Sequence, residues 1–189
     1  HLARATLVVR LTGDCPLIDP AVIDRIVTPV LDGRADWCVT GTTFPDGLDV
    51  AVATIEALEQ AAAAASEAYD REHVFPWIMR NDALRGITVE HDHDLGAMRI
   101  TLDEREDLDV IRAVIAASGT SRIDIKSLGQ LWKDHLELFD ANRHLVRDEG
   151  AVLGTGQKLW RHALDRIPGG SMLLSKRAER TLPGQGPAY

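Results

Sequence analysis

Cysteine is scarce: Cys15 and Cys38 are the only two, and their spacing matches no metal-ligand pattern. A disulfide-stapled secreted scaffold is thereby excluded, and reduced thiols in a cytosolic protein are the expectation. No uninterrupted apolar run approaches the ~20 residues that a membrane span needs. The alanine run at 61–65 lies between Glu59 and Ser66. Cationic charge is also short, with 21 Lys and Arg against 29 Asp and Glu and a net charge of −8. Such a balance excludes a nonspecific reader of the nucleic-acid backbone, while a local cationic pocket for a nucleotide stays open. There is no internal repeat and no charged-then-apolar signal sequence. The chain opens on His1 and closes on 184–189, Gly-Gln-Gly-Pro-Ala-Tyr, with no element to finish. Both ends are expected to be cuts in something longer.

What is present is ordinary globular material: 189 residues, 45% hydrophobic and 26% charged, enough for one full core plus an appendage. Residues 5–11 form a β-branched apolar run with the pattern of a buried parallel strand. Asp19 with Pro20 starts a helix whose Val22, Ile23, Ile26, Val27 and Val30 repeat at helical spacing. Further strands are expected at 36–40, 48–53, 87–90 and 98–102. Thr54 caps an alanine-rich helix with Ile55, Leu58 and Ala62 inward, and Asp70 can cap another that Pro76 kinks or restarts. Helices are also expected at about 104–117 and 124–139. Apolar strands alternating with helices predict a doubly wound α/β domain with a mainly parallel sheet over 1–142. A linker follows at 143–154, and 155–189 form a helical and irregular tail, with Thr155 capping a helix at 156–167.

The first candidate site is Thr12-Gly13-Asp14-Cys15-Pro16-Leu17, directly after the first strand. Ligands of open α/β sheets bind beyond the carboxyl ends of the strands. A carboxylate there, with Gly13 permitting close backbone approach, can hold a hard divalent cation beside phosphate oxygens. The plain alternative is an Asx-turn at Asp14. Asp103 also follows an apolar run, so two carboxylates converge if the two runs are neighbours. One or two carboxylates plus substrate phosphates is how Mg²⁺ is usually held. Asp103 can equally cap the helix that begins nearby, and both roles can coexist. The His91-Asp92-His93-Asp94 cluster reads as a solvated turn rather than a metal site.

Residues 9–20, from Val9 through Thr12-Gly13-Asp14-Cys15-Pro16 to Pro20, closely resemble a signature of the cytidylyltransferases of spore-coat polysaccharide synthesis. These are relatives of acylneuraminate and deoxy-octulosonate cytidylyltransferases. Three further matches come in the family's order: Pro45-Asp46-Gly47-Leu48-Asp49-Val50, the run 71–78 that opens with Arg71-Glu72-His73, and the run 99–108 from Arg99 to Leu108. The resemblance covers about 5–142. It implies a nucleotide-diphospho-sugar transferase fold and transfer of CMP from CTP to a sugar hydroxyl, with release of pyrophosphate. It further implies Mg²⁺ on Asp14 and Asp103, Arg10 and Gly13 at the nucleotide, and Asp49, Arg71, Glu72 and His73 on the sugar side. Arg10 can also be a solvated strand residue, and His73 a structural helix histidine, although a helix start favours anions. The implied partners are CTP and a sugar, without nucleic acid or membrane, and with a homodimer open.

One part of the family pattern is absent, a basic glycine loop of the form G-S-x-R-x-P-G-K that cradles the triphosphate. Without its charge-assisted hydrogen bonds, the chain alone is expected to transfer CMP roughly 10²–10⁴-fold more slowly. The run 156–170, Gly-Gln-Lys-Leu-Trp-Arg-His-Ala-Leu-Asp-Arg-Ile-Pro-Gly-Gly, resembles the opening of glutamate-1-semialdehyde-type class III aminotransferases. That resemblance implies pyridoxal phosphate only in a downstream domain, so neither Lys158 nor Lys176 is its Schiff-base lysine. The competing expectation is an aminotransferase whose α/β part is a non-catalytic nucleotide- or sugar-binding module.

Overall fold

The structure is a computed structural model that describes residues 5–145. The expectations for the tail, including the helix at 156–167, lie outside the described residues, as does most of the expected linker. Local signals place the helices well. Asp19 accepts a hydrogen bond from the Ala21 amide at 2.9 Å and starts α1 (Pro20–Leu31), with proline in its first turn. Thr54 accepts from the Ala57 amide at 3.2 Å and starts α2 (Ile55–Ala64). The short helices α3 (Ala68–His73) and α4 (Phe75–Arg80) are separated by Val74, which has φ +63°, so the chain restarts at Phe75-Pro76. Helix α5 spans Arg105–Ser118. Asp124 caps α6 (Ile125–Asp134), which breaks at His135 into a 3₁₀ turn, Leu136–Phe139.

The expected α/β class is the one that forms. Four strands, β1 (Leu7–Arg10), β2 (Trp37–Thr40), β3 (Ala51–Thr54) and β4 (Gly86–Val89), lie in the order β1-β3-β2-β4. Pairing within the sheet is mixed: β3 runs antiparallel to both β1 and β2, while β4 joins β2 in parallel. Connection length explains the difference. Between β2 and β4 the chain passes through β3 and three helices, which allows a parallel return, whereas β2 and β3 are joined by a loop alone and must reverse. Side chains alternate across the sheet. Cys38 and Val52 meet Val22, Ile26 and Val30 of α1 on one face, and Trp37, Val39 and Ala53 meet Ala57, Ala61 and Ile78 on the other.

Three expectations about details are corrected. The inward face of α2 is Ala57 and Ala61, with Leu58 half-buried and Ala62 exposed. Asp70 does not cap a helix. It lies in the first turn of α3 and takes two hydrogen bonds from Arg80 Nη2, each 2.7 Å. The run 98–102 is not a ladder strand but an extended clasp with one isolated bridge, Asp46 to Arg99. Its neighbours are the loops at Asp46 and Asp14, which bond it at isolated points rather than along a strand. The clasp and its surroundings, Leu17, Leu48, Met98 and Ile100, build a further core with Val110 and Val114 of α5 and Leu128 of α6.

Candidate functional site

Register places the site. Arg10, at the end of β1, pairs with Ala51 at the start of β3, so the loop after β1 and the loop before β3 lie at the same end of the sheet. The clasp joins them. Asp46 donates its amide to the Met98 carbonyl at 3.0 Å and accepts the Ile100 amide at 2.7 Å. Two residues further on, the Leu102 amide donates to the Asp14 carbonyl at 2.8 Å, and the Thr101 hydroxyl donates to the same oxygen at 3.2 Å. Gly47 makes this approach feasible: at φ +106° a Cβ would stand 2.5 Å from the Ile100 carbonyl carbon and the Thr101 nitrogen. Asp14 is thus hydrogen-bonded through its backbone to the residue that precedes Asp103.

Neither carboxylate is spent on the plain alternative. The turn after β1 closes through backbone, Cys15 amide to Thr12 carbonyl at 3.3 Å, and among the described residues the Asp14 side chain hydrogen-bonds the Cys15 thiol, at 3.7 Å. Glu104, not Asp103, occupies the N-cap of α5. Asp103 is exposed, and its Oδ2 accepts a hydrogen bond from Arg99 Nη2 at 3.2 Å. Asp49 belongs to the same neighbourhood: its Oδ2 accepts the Gly47 amide at 3.0 Å, and its backbone meets the Cys15 thiol. Burial raises the pKa of that thiol above its usual value, against the opposing hydrogen bond with Thr12. Cys15 is therefore a neutral packing group between two loops rather than a nucleophile. Both cysteines are free and buried.

Of the other predicted residues, Arg10 and Gly13 flank the junction on the β1 side, and the Arg71–His73 set lies on another element. Arg10 is exposed at the end of β1, and an added Cβ at Gly13 would meet nothing within 4 Å, so no protein contact requires glycine there. Arg71, Glu72 and His73 do not start a helix, as the sequence reading expected; they close α3. The Arg71 charge in the last turn suits the helix dipole, which is a structural role. Arg71 Nη1 donates to the Ala65 carbonyl at 3.4 Å, and the His73 ring lies 4.6 Å from Tyr69. Arg71 also lines a cavity of about 340 Å³ with Leu58, Ala61, Ala65, Asp70 and Val74. No hydrogen bond or ion pair described ties these residues to the Asp14–Asp103 junction. The His91–Asp94 segment is a solvated turn, in which Asp94 accepts the Gly96 amide and Asp92 pairs with Arg25.

Sequence reasoning missed the ionic cluster behind Asp103. Arg99, 8% exposed, directs Nε and Nη2 to the two oxygens of Asp107, both at 2.8 Å, and Nη1 to Asp46 at 2.7 Å. Asp107 also accepts the amides of Asp103 and Glu104, and Asn142 donates to it at 2.9 Å. Burial pushes the Asp107 carboxyl up, but the Arg99 fork and these donors override it and bring it down to about 2. Burial likewise opposes the charge on Arg99, and its carboxylates overcome it. A depressed carboxylate stabilises the fold above its ordinary pKa, and the stabilisation fades as pH falls through the folded value. Asp107 should therefore contribute about 2 kcal/mol that is fully present near pH 5 and lost between about pH 4 and 2. The unfolding free energies of the chain and of Asp107→Asn, followed by urea titration, should converge by that amount over this range. A difference that stays constant from pH 5 to 2 would contradict it.

Among the described residues no three His, Cys, Asp or Glu side chains gather into a metal-binding group. A cation that keeps water and phosphate ligands needs only a pair of carboxylates, and Asp14 and Asp103, on hydrogen-bonded loops, are the residues that would hold Mg²⁺ in that way. No helix among the described residues is long and apolar enough to cross a membrane.

Comparison with known proteins agrees with the fold. A family model described as cytidylyltransferase matches residues 1–140. An uncharacterized protein of Methanocaldococcus jannaschii is 41% identical over 78 residues, which cover 41% of this chain and 32% of that protein. The spore coat polysaccharide biosynthesis protein SpsF of Bacillus subtilis is 27% identical over 127 residues, 61% of this chain and 50% of SpsF. A solved cytidylyltransferase structure from Leptospira borgpetersenii serovar Hardjo-bovis superposes with a TM-score of 0.67 at 27% identity, covering 71% of this chain and 58% of that one. The chain thus spans half or less of the curated relatives it matches.

Proposed function

The chain belongs to the cytidylyltransferase family, and on that premise we propose that it forms the metal- and nucleotide-holding part of an enzyme that transfers CMP from CTP to a sugar. The acceptor hydroxyl oxygen attacks the α-phosphorus and a new P–O bond forms. The bond from the α-phosphorus to the bridging oxygen breaks, and pyrophosphate leaves with that electron pair. The hydroxyl proton passes to solvent. Such a transfer depends on in-line positioning and charge neutralisation more than on covalent help from the protein. Asp14 and Asp103 would hold Mg²⁺, which supplies charge neutralisation and polarisation at the phosphate oxygens. The single observation that carries this reading is the bonding of the Leu102 amide to the Asp14 carbonyl, which brings the two acidic loops together at one end of the sheet.

Arg10 and Gly13 border that junction from the β1 side and suit the nucleotide, and Asp49 suits a sugar hydroxyl. Arg71, Glu72 and His73, with the cavity that Arg71 lines, are proposed for the sugar side. The resemblance to SpsF points toward precursors of a surface polysaccharide. Equilibrium binding tests the reading. CTP should bind in the presence of Mg²⁺ and lose at least tenfold in affinity when EDTA removes the metal. ATP and GTP should bind more weakly than CTP at the same Mg²⁺ concentration. CTP binding that EDTA leaves untouched, or equal affinity for all three nucleotides, would count against it.

A further inference from the structure

We propose that Arg99 is a positioning residue, which orients Asp103 beside the Asp14 loop and so sets how tightly the metal–nucleotide pair is held. The proposal rests on the metal–CTP reading of the site. Arg99 lies within the clasp itself, four residues before Asp103, and reaches three carboxylates at once: Asp107, Asp46 and Asp103. Asp103 is gripped at two places. Its amide donates to Asp107 Oδ2 at 3.0 Å, and its Oδ2 accepts Arg99 Nη2 at 3.2 Å. Asp107, fully buried, is in turn held by the guanidinium fork, and Asn142 Nδ2 donates both to it and to the Arg99 carbonyl. On the other flank the Leu102 amide is fixed to Asp14. A side chain as exposed as that of Asp103, at 52%, ordinarily samples several rotamers.

The fork removes that freedom for one oxygen and leaves the other for a cation, which is the preorganisation a metal ligand needs. A lysine keeps the charge but presents no planar fork, so it cannot serve Asp107 bidentately and Asp103 together. If Arg99 merely neutralised the buried Asp107, its replacement would alter stability and leave the metal untouched.

Two variants of the chain separate these roles. Mn²⁺ binding at fixed CTP, followed by electron paramagnetic resonance, is compared with thermal unfolding for the unaltered chain, Arg99→Lys and Asp46→Asn. Arg99→Lys should raise the half-saturating Mn²⁺ concentration by roughly tenfold or more, the size of effect that supporting partners of metal ligands commonly exert. Asp46→Asn weakens the Arg99 bond made through Nη1 and leaves the Nε and Nη2 bonds to Asp107 and Asp103 in place, so it should lower the melting temperature with the Mn²⁺ midpoint within about twofold. Equal midpoint shifts in both variants, or a destabilised Arg99→Lys with an unchanged midpoint, would overturn the positioning role while leaving the metal–CTP reading in place. An unaltered chain that binds no Mn²⁺ with CTP would overturn both. Should Arg99→Lys fail to fold, a crystal of the unaltered chain with Mn²⁺ and CTP decides the matter. Asp103 must then keep one oxygen on Arg99 and give the other to the metal, and an Arg99 turned away from Asp103 overturns the proposal.

Discussion

Asp14→Asn should leave the chain folded and weaken Mg²⁺-dependent CTP binding by about 10²–10³-fold, and Asp103→Asn should do the same. A carboxylate that shares a divalent cation with a triphosphate offsets part of the cost of bringing that charge together, an effect of several kcal/mol. A loss of about 3–4 kcal/mol corresponds to the stated factor at 1.36 kcal/mol per decade. Folding should survive because the structural bond at Asp14 runs through its backbone carbonyl, which asparagine retains. At Asp103 the substitution weakens one partly exposed ion pair with Arg99, worth less than about 1 kcal/mol. Both variants should therefore unfold within a few degrees of the parent. Isothermal titration of CTP with and without Mg²⁺ makes the comparison. If either variant binds Mg²⁺-CTP within threefold of the parent, that carboxylate is not a metal ligand.

Arg99→Met should have the largest effect on stability, about 3–5 kcal/mol, because it leaves the carboxylate of Asp107 in the interior without its ionic partner. Methionine supplies no donor for the two oxygens, which are left with the amide hydrogen bonds from Asp103, Glu104 and Asn142. Domain stabilities are about 5–15 kcal/mol, so the variant loses a large share of the total. For a domain of this size, each kcal/mol corresponds to about 2–4 °C, which gives a fall of roughly 6–20 °C in melting temperature. A double substitution, Arg99→Met with Asp107→Leu, should recover part of the loss, since removing both members of a buried ion pair is often nearly neutral. Calorimetry checks this, and a fall of less than about 2 °C for the single variant would show that the cluster contributes little.

The helices were legible in the sequence where their signals are local. Asp19 with Pro20 and Thr54 each lie within three residues of the amide they cap, and each cap forms. Misreadings arose where a distant partner decides the outcome. Asp70 has the look of a cap, but Arg80, ten residues later, claims its carboxylate. Arg71 to His73 close α3 because Val74, not a residue before Arg71, marks the break. The apolar run 98–102 has the composition of a strand, yet its neighbours are the loops at Asp46 and Asp14, and composition carries no record of neighbours. The run 5–11 reads as a buried parallel strand, yet β1 is a half-exposed edge strand that runs antiparallel to β3, because an apolar run carries no record of its neighbour's direction.

The acidic pair was singled out for a different reason: both aspartates follow apolar runs, and that position is a general feature of ligand sites on α/β sheets. Their joining by the Leu102 amide was not. Arg99, Asp46 and Asp107 lay inside the segments that resemble the family, but their meeting depends on loops far apart in sequence and on a glycine, Gly47, that lets the clasp approach. What a single sequence can offer there is a list of charged residues without their pairing.

The most direct measurement is a crystal of the chain grown with CTP and Mn²⁺, with the anomalous scattering of manganese used to locate the ion. The account predicts a manganese peak between the Asp14 and Asp103 carboxylates, reached directly or through one water, with phosphate oxygens of CTP completing its shell. A manganese ion on the triphosphate that approaches neither aspartate, or CTP bound away from the loop after β1, would contradict it.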